Sequence, residues 1–169
     1  MLQPELKTRR DQIRVHMAKE NIGAALIACN VNLLYTYGRI VCGYLYLPLD
    51  SPAILFLKRP LNIKGEYVVP IHKPEEIPAK LKEMELSIPS KIMLEGDELP
   101  YTQYVRLSKL FPDSEIVNGT PLIRKARSVK TGYEIEMLRR SAVQHAKAYS
   151  MIPSVFKEGM TDLDLSIEI

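Results

Sequence analysis

The chain has 169 residues, 46% hydrophobic and 25% charged, with 12 Pro and 8 Gly, a composition that excludes disorder and collagen-like structure and suits one globular domain with a real core. Its formal net charge is only +3, and its one tight basic group is Arg124, Lys125, Arg127 and Lys130. A nucleic-acid footprint would carry denser cations interleaved with stacking aromatics, so this group reads as a solvated helix end or interdomain linker rather than a polyanion site.

Leu6, Arg10, Ile13 and Met17 recur at helical spacing and predict a first helix from about Glu5 to Asn21. Gly23 breaks it. Ala24 to Cys29 is a continuous apolar run too short for a helix, the pattern of a central strand covered on both faces. The segment NLLYTYG that follows is rich in β-formers and reads as extended. A loop is expected from Arg39 to Pro52, then AILFLKRP as a strand ended by Pro60.

Tyr67 to Ile71 reads as a short strand. Pro74 is placed to open a helix whose apolar stripe is Ile77, Leu81 and Met84. KIMLE, Lys91 to Glu95, is a strand, and Tyr104, Leu107, Leu110 and Phe111 form the stripe of a helix ended by Pro112. Glu115 to Val117 is a last short strand. This alternation predicts an α/β fold, a three-layer αβα sandwich with helices on both faces of a mixed, twisted sheet of about five or six strands. Short returns between strands leave room for antiparallel pairs.

From Thr120 the pattern is helical only. Pro121 can start a short helix through Lys125. Ile135, Leu138, Ala142 and Tyr149 share one face of a helix ending near Met151, and that stripe is expected to be exposed or covered by another copy. Thr161 with Asp164 resembles a capping box after Gly159. The chain stops within what reads as a further helix. Two units are therefore expected: residues 1–126 as an accessory domain, and residues 127–169 as a linker and the start of a second domain.

Chemistry-bearing motifs are sparse. Gly38 and Gly43 are isolated, and no phosphate-cradling glycine pattern occurs. His16, His72 and His145 lack the spacing of a helical zinc site. Asp162 and Asp164 read as helix caps rather than ligands. Cys29 and Cys42 lack CxxC spacing and a secretory context, so a reducing, cytoplasmic setting is expected, with both as small apolar fillers, Cys42 in the loop. No apolar run reaches signal or membrane length. One region does concentrate amphipathic side chains: Tyr35, Tyr37, Arg39, Tyr44 and Tyr46. They suit either a binding surface or an aromatic ribbon packed on its own domain.

NLLYTYG, Asn32 to Gly38 within the order GAALIACN, AILFLKRP and KIMLEGDELPYTQYVRLSKLFP, resembles the N-x-x-Y-x-x-G passage of the N-terminal domain shared by creatinase, prolidase and aminopeptidase P. The segment from LIRKARSVKTGYEIEMLRR to EGMTDLDLSIEI is similar to the one leading into the pita-bread metallohydrolase domain of that family. The likeness covers essentially the whole chain and implies a creatinase N-terminal, ribonuclease H-like motif.

It also implies a parent that cleaves the bond before proline with two divalent metals, manganese or cobalt, held by two Asp, one His and two Glu. This sequence contains none of those ligand motifs. The implied role is the non-catalytic N-terminal domain of an Xaa-Pro dipeptidase or aminopeptidase, cytoplasmic, partnered by its own catalytic domain, by a second copy in a dimer and by proline-containing peptide, with no nucleic acid or membrane. A non-catalytic peptide- or protein-binding module of the same fold and the N-terminal domain of a creatinase-type amidinohydrolase are the alternatives. The family's N-terminal domain can reach over a neighbour's active site. The matching region here is Gly38 to Tyr46, with Arg39, where relatives often carry an aromatic, as the charged contact for a peptide carboxylate.

Overall fold

The computed structural model describes residues 2–168, Leu2 by its backbone only. Its contacts divide the chain into two units at Ser128–Val129.

The first unit is built on a six-stranded mixed sheet in the order β4-β3-β2-β1-β5-β6. Its elements are α1 (Leu2–Lys19), β1 (Ala24–Ile27), α2 (Asn30–Tyr37), β2 (Cys42–Pro48), β3 (Ile54–Arg59), β4 (Val68–Pro70), a 3₁₀ turn at Pro74–Glu76, α3 (Ile77–Glu83), β5 (Lys91–Leu94), α4 (Tyr101–Ser108), β6 (Glu115–Asn118) and α5 (Thr120–Ser128). The β1–β2 and β2–β3 pairs are antiparallel, whereas β1–β5, β5–β6 and β3–β4 are parallel. The expected three-layer αβα class is what is observed.

All of β1 is buried because both its faces are covered. Ala25 and Ile27 pack with Ile13 and Met17 of α1, Leu33 of α2 and Ile123 of α5. Ala24 and Leu26 point the other way, to Ile77 and Leu81 of α3 and Leu107, Leu110 and Phe111 beyond. A strand's period of two divides one apolar run between two cores.

Two expectations fail around residue 38. The segment read as extended is helix α2, which buries Asn32, Leu33, Tyr35 and Thr36, a one-three-four spacing that only a helix turns to one side. Gly38 closes the helix at φ 84°, its N–H bonded to the Leu34 carbonyl. Glycine adopts this left-handed position without the steric cost of a Cβ, so the β-forming character of Tyr and Thr is overruled by a helix stop. Half of the predicted loop from Arg39 to Pro52 is strand β2, whose Leu45, Tyr46 and Leu47 are almost fully buried. Cys42 consequently opens a strand and is exposed, whereas Cys29 is half-buried.

The second unit contains α6 (Gly132–Val155) and α7 (Asp162–Glu168). Thr131 starts α6 with a reciprocal cap: its hydroxyl accepts the Glu134 N–H at 3.2 Å while the Glu134 carboxylate accepts the Thr131 N–H at 2.9 Å. The helix continues past the expected end at Met151 and takes Pro153 into its last turn. No α6 residue is buried, and Ile135, Leu138 and Tyr149 of the predicted stripe are exposed. Thr161 and Asp164 form the predicted cap of α7.

Candidate functional site

The sheet edge formed by the C-terminal ends of β1, β3 and β5 and the start of β2 carries the turn singled out by sequence. Beneath it lies a buried polar network that sequence reasoning missed. Glu95, directly after β5, is 0% exposed. One carboxylate oxygen, Oε2, accepts the N–H groups of Ala28 at 2.6 Å and Cys29 at 2.8 Å, and Oε1 accepts Asn32 Nδ2 at 2.6 Å. The Asn32 carbonyl oxygen in turn accepts Arg127 Nη1 of α5 at 3.0 Å.

The carboxylate thus caps the start of α2, where orphan N–H groups and the helix dipole favour negative charge. Burial pushes the Glu95 carboxyl above its ordinary range, opposed by the hydrogen bonds from Ala28, Cys29 and Asn32. At the opposite end of α2, Arg9 and Arg10 donate to the carbonyls of Tyr35 and Thr36 at 3.3 and 2.8 Å. Tyr35 is further held by the guanidinium groups of Arg9 and Arg127, 4.9 and 5.8 Å from its ring centre. Both ends of α2 are fixed, so the turn that leaves it starts from a rigid base.

The five residues grouped by sequence do not form one surface. Tyr35 belongs to the core on the α1 side of the sheet, and Tyr37 packs against that core. Tyr44 and Tyr46 belong to the core on the α3 side. Burial raises the Tyr44 hydroxyl and pushes that of Tyr46 up to about 12, so both phenols stay neutral at physiological pH. Arg39 is the exposed member, next to Ile40, which leaves 59% of its surface in solvent.

Two grooves flank this turn. A groove of about 650 Å³ at the sheet edge is lined by Asn30, Ile40, Cys42, Tyr44, Arg59 and Gln103 among others. Another, of about 420 Å³, contains Gln3, Tyr37, Gly38, Arg39 and Lys64. Arg39 and Tyr44 therefore face different grooves. The change falls between Arg39 and Ile40, since Ile40 to Tyr44 all line the first groove, and the β2–β3 register then shifts between Cys42 and Gly43. A Cβ on Gly43 would come within 2.5 Å of the Phe56 carbonyl oxygen, so the close strand approach there requires glycine.

The basic group near α5 is largely committed inside the first unit. Arg124 binds Glu98 at 2.6 Å and Asp97 at 3.6 Å, and Arg127 serves Asn32 as above. Among the described residues, no three His, Cys, Asp or Glu side chains come together as a group able to hold a metal ion. The residues present do not fit a dimetal centre, and no step of metal chemistry is assigned to them. Among the described residues, no helix is long and apolar enough to cross a membrane.

Comparison with known proteins places this geometry. Solved structures with the same fold include the Xaa-Pro dipeptidase from Bacillus anthracis, 20% identical with TM-score 0.77 over 96% of this chain and 47% of that one. The prolidase from Pyrococcus horikoshii OT3 is 24% identical with TM-score 0.71, over 95% of this chain and 46% of that one. The X-Pro aminopeptidase from Thermotoga maritima MSB8 is 16% identical with TM-score 0.71, over 87% and 45%. The chain spans about half the length of these proteins. No curated protein matches its sequence. Residues 9–129 match the creatinase/prolidase N-terminal domain, a stretch that takes in the sheet, both ends of α2 and the Glu95–Asn32–Arg127 network, and the chain belongs to that family.

Proposed function

We propose that this chain supplies the accessory N-terminal domain of a metal-dependent, proline-specific exopeptidase, an Xaa-Pro dipeptidase or aminopeptidase. The metal ions, manganese or cobalt, and the chemistry on the scissile bond belong to a catalytic domain beyond these residues; here the domain contributes subunit contacts and shapes the substrate site. The observation that carries this reading is the exposed Arg39–Ile40 pair, presented on a turn whose base is anchored at both ends of α2. Loops on rigid scaffolds are suited to recognition, and a guanidinium there can meet a peptide carboxylate in two parallel hydrogen bonds.

The test is Arg39→Ala in the protein that joins this domain to its catalytic domain, assayed on an Xaa-Pro dipeptide and a longer Xaa-Pro peptide. Loss of a charged hydrogen bond is worth about 1.5–3 kcal/mol, or roughly ten- to a hundredfold in kcat/KM, with little change in thermal stability because the side chain is exposed. Wild-type kinetics would remove Arg39 from the substrate site. Turnover of either peptide by residues 1–169 alone with manganese or cobalt would overturn the accessory role.

A further inference from the structure

A second surface lies along α1, away from the sheet-edge groove. Gln3, Lys7, Arg10, Asp11 and Arg14 line one side of a groove of about 740 Å³ whose other walls include Leu49, Asp50, Ser51, Lys64 and Tyr67. It shares Gln3, Tyr37 and Lys64 with the smaller groove that contains Arg39, so the two are continuous. Residues 3 to 14 of a helix extend over roughly 16 Å, enough for an extended segment of about five residues.

The charges along this path are unequal. Its cations are Lys7, Arg10, Arg14, Arg39 and Lys64, and its carboxylates are Asp11 and Asp50. That is a local surplus of three positive charges on one path, against a formal net charge of +3 for the whole chain. Part of the set is already used. Asp11 binds Lys7 at 2.6 Å and Arg14 at 3.0 Å, and Arg14 also donates to the Pro48 and Ser51 carbonyls. These contacts fix the wall.

The others are not neutralised. Among the described residues, no carboxylate lies within salt-bridge distance of Arg10, Arg39 or Lys64. Arg10 is half-buried and spends Nη1 on the Thr36 carbonyl, one of the five N–H donors a guanidinium offers. A half-buried guanidinium beside Arg14, offset only by Asp11 beyond salt-bridge distance and without its full set of acceptors, is a position that an incoming anion stabilises.

We infer that this continuous groove binds an extended acidic peptide segment, whose carboxylates pair with Arg10, Lys64 and Arg39. Nucleic acid is the weaker fit. The walls offer Tyr67 as an exposed ring, while Tyr37 is half-buried with its ring packed against the core, and a row of bases needs successive stacking faces. The Arg39 end of the groove is shared with the turn assigned to substrate, so that contact rests on the peptidase reading, whereas Arg10 and Lys64, the two anchors tested below, lie outside that turn.

The test is fluorescence anisotropy on the 169-residue chain with a labelled hexaglutamate peptide, against hexalysine, inorganic phosphate and a short single-stranded oligothymidylate. Hexaglutamate should bind and hexalysine should not, with affinity falling as salt rises from 50 to 200 mM. Lys64→Glu, on an exposed loop, should weaken hexaglutamate binding by roughly tenfold or more, and Arg10→Gln by about tenfold. Circular dichroism identifies any variant that fails to fold, and Lys64→Glu alone then decides. No binding of hexaglutamate, tighter binding of the oligonucleotide, equal competition by millimolar phosphate, or unchanged affinity in Lys64→Glu would each overturn the assignment.

Discussion

Glu95→Leu removes the acceptor at the centre of the buried network while keeping a side chain of similar bulk. The substitution strands the part-buried N–H groups of Ala28 and Cys29 and the buried Asn32 amide; a buried donor that loses its partner costs about 1–3 kcal/mol, a part-buried one less. Relief from burying a carboxylate offsets part of that sum, leaving a net loss of about 3–5 kcal/mol. For a domain of this size the melting temperature should fall by roughly 10–15 °C.

Glu95→Gln separates charge from hydrogen bonding. Its carbonyl oxygen can still accept the backbone N–H groups, but its amide meets the Asn32 amide donor to donor. Turning Asn32 over would repair that contact and strip Arg127 Nη1 of its acceptor, so a cost of about 1–2 kcal/mol remains. Urea unfolding at neutral pH should rank wild type above Gln above Leu. A Glu95→Leu protein within about 1 kcal/mol of wild type would refute the network's role in holding α2.

The pH dependence carries a sign. Burial raises the folded carboxyl above its ordinary 4.5, so the folded state takes up a proton there. The proton-linked part of Glu95's contribution is full below the ordinary value and is lost as pH rises through the raised one, while the hydrogen bonds to Ala28, Cys29 and Asn32 persist. The stability advantage of wild type over Glu95→Gln should therefore narrow as pH rises from 4.5, and a widening gap would contradict the direction.

Gly43→Ala places a Cβ within 2.5 Å of a backbone carbonyl oxygen that cannot swing away, and should cost about 1–3 kcal/mol in the same unfolding assay, whereas Cys42→Ala at the exposed neighbouring position should cost little. The Glu75 carboxyl, held chiefly by hydrogen bonds from Arg106 at 2.6 and 2.9 Å, should titrate at about 2 by carboxyl-detected NMR. Arg106→Ala should return that midpoint toward 4.5; because the folded value is lowered, whatever the pair contributes is present above the ordinary value and lost as pH falls through about 2. An unmoved midpoint would exclude Arg106 as the cause.

The layers were legible because they depend on local pattern. An apolar run of strand length implies a strand covered on both faces, and β1 divides its side chains between two cores as that argument requires. The site was legible only at its surface. NLLYTYG reads as extended when composition is weighed ahead of termination: Cys29 and Gly38 bracket eight helical residues, and glycine after the last periodic residue is a helix stop. With β2 hidden inside an expected loop, the alternation that sends Tyr44 and Tyr46 to the opposite face from Tyr35 could not be seen. The Glu95–Asn32–Arg127 network had no local signal at all. Its members lie 63 and 95 residues apart, and Glu95 looked like the polar end of a strand.

That hidden carboxylate also explains why recognition is sought at the flanks. In sheets covered on both sides, a crevice opens beyond the carboxyl ends of neighbouring parallel strands where the chain departs to opposite faces, and helix N–H groups there commonly meet an anionic ligand. Here β1 and β5 are parallel, with α2 leaving toward one core and α4 toward the other. The crevice is filled from within: Glu95 supplies the anion and takes the N–H groups of Ala28 and Cys29. A ligand entering at that point would have to displace a fully buried, hydrogen-bonded carboxylate. The fold's usual binding position serves as its anchor, and contact with other molecules is left to the Arg39–Ile40 turn and the basic groove along α1.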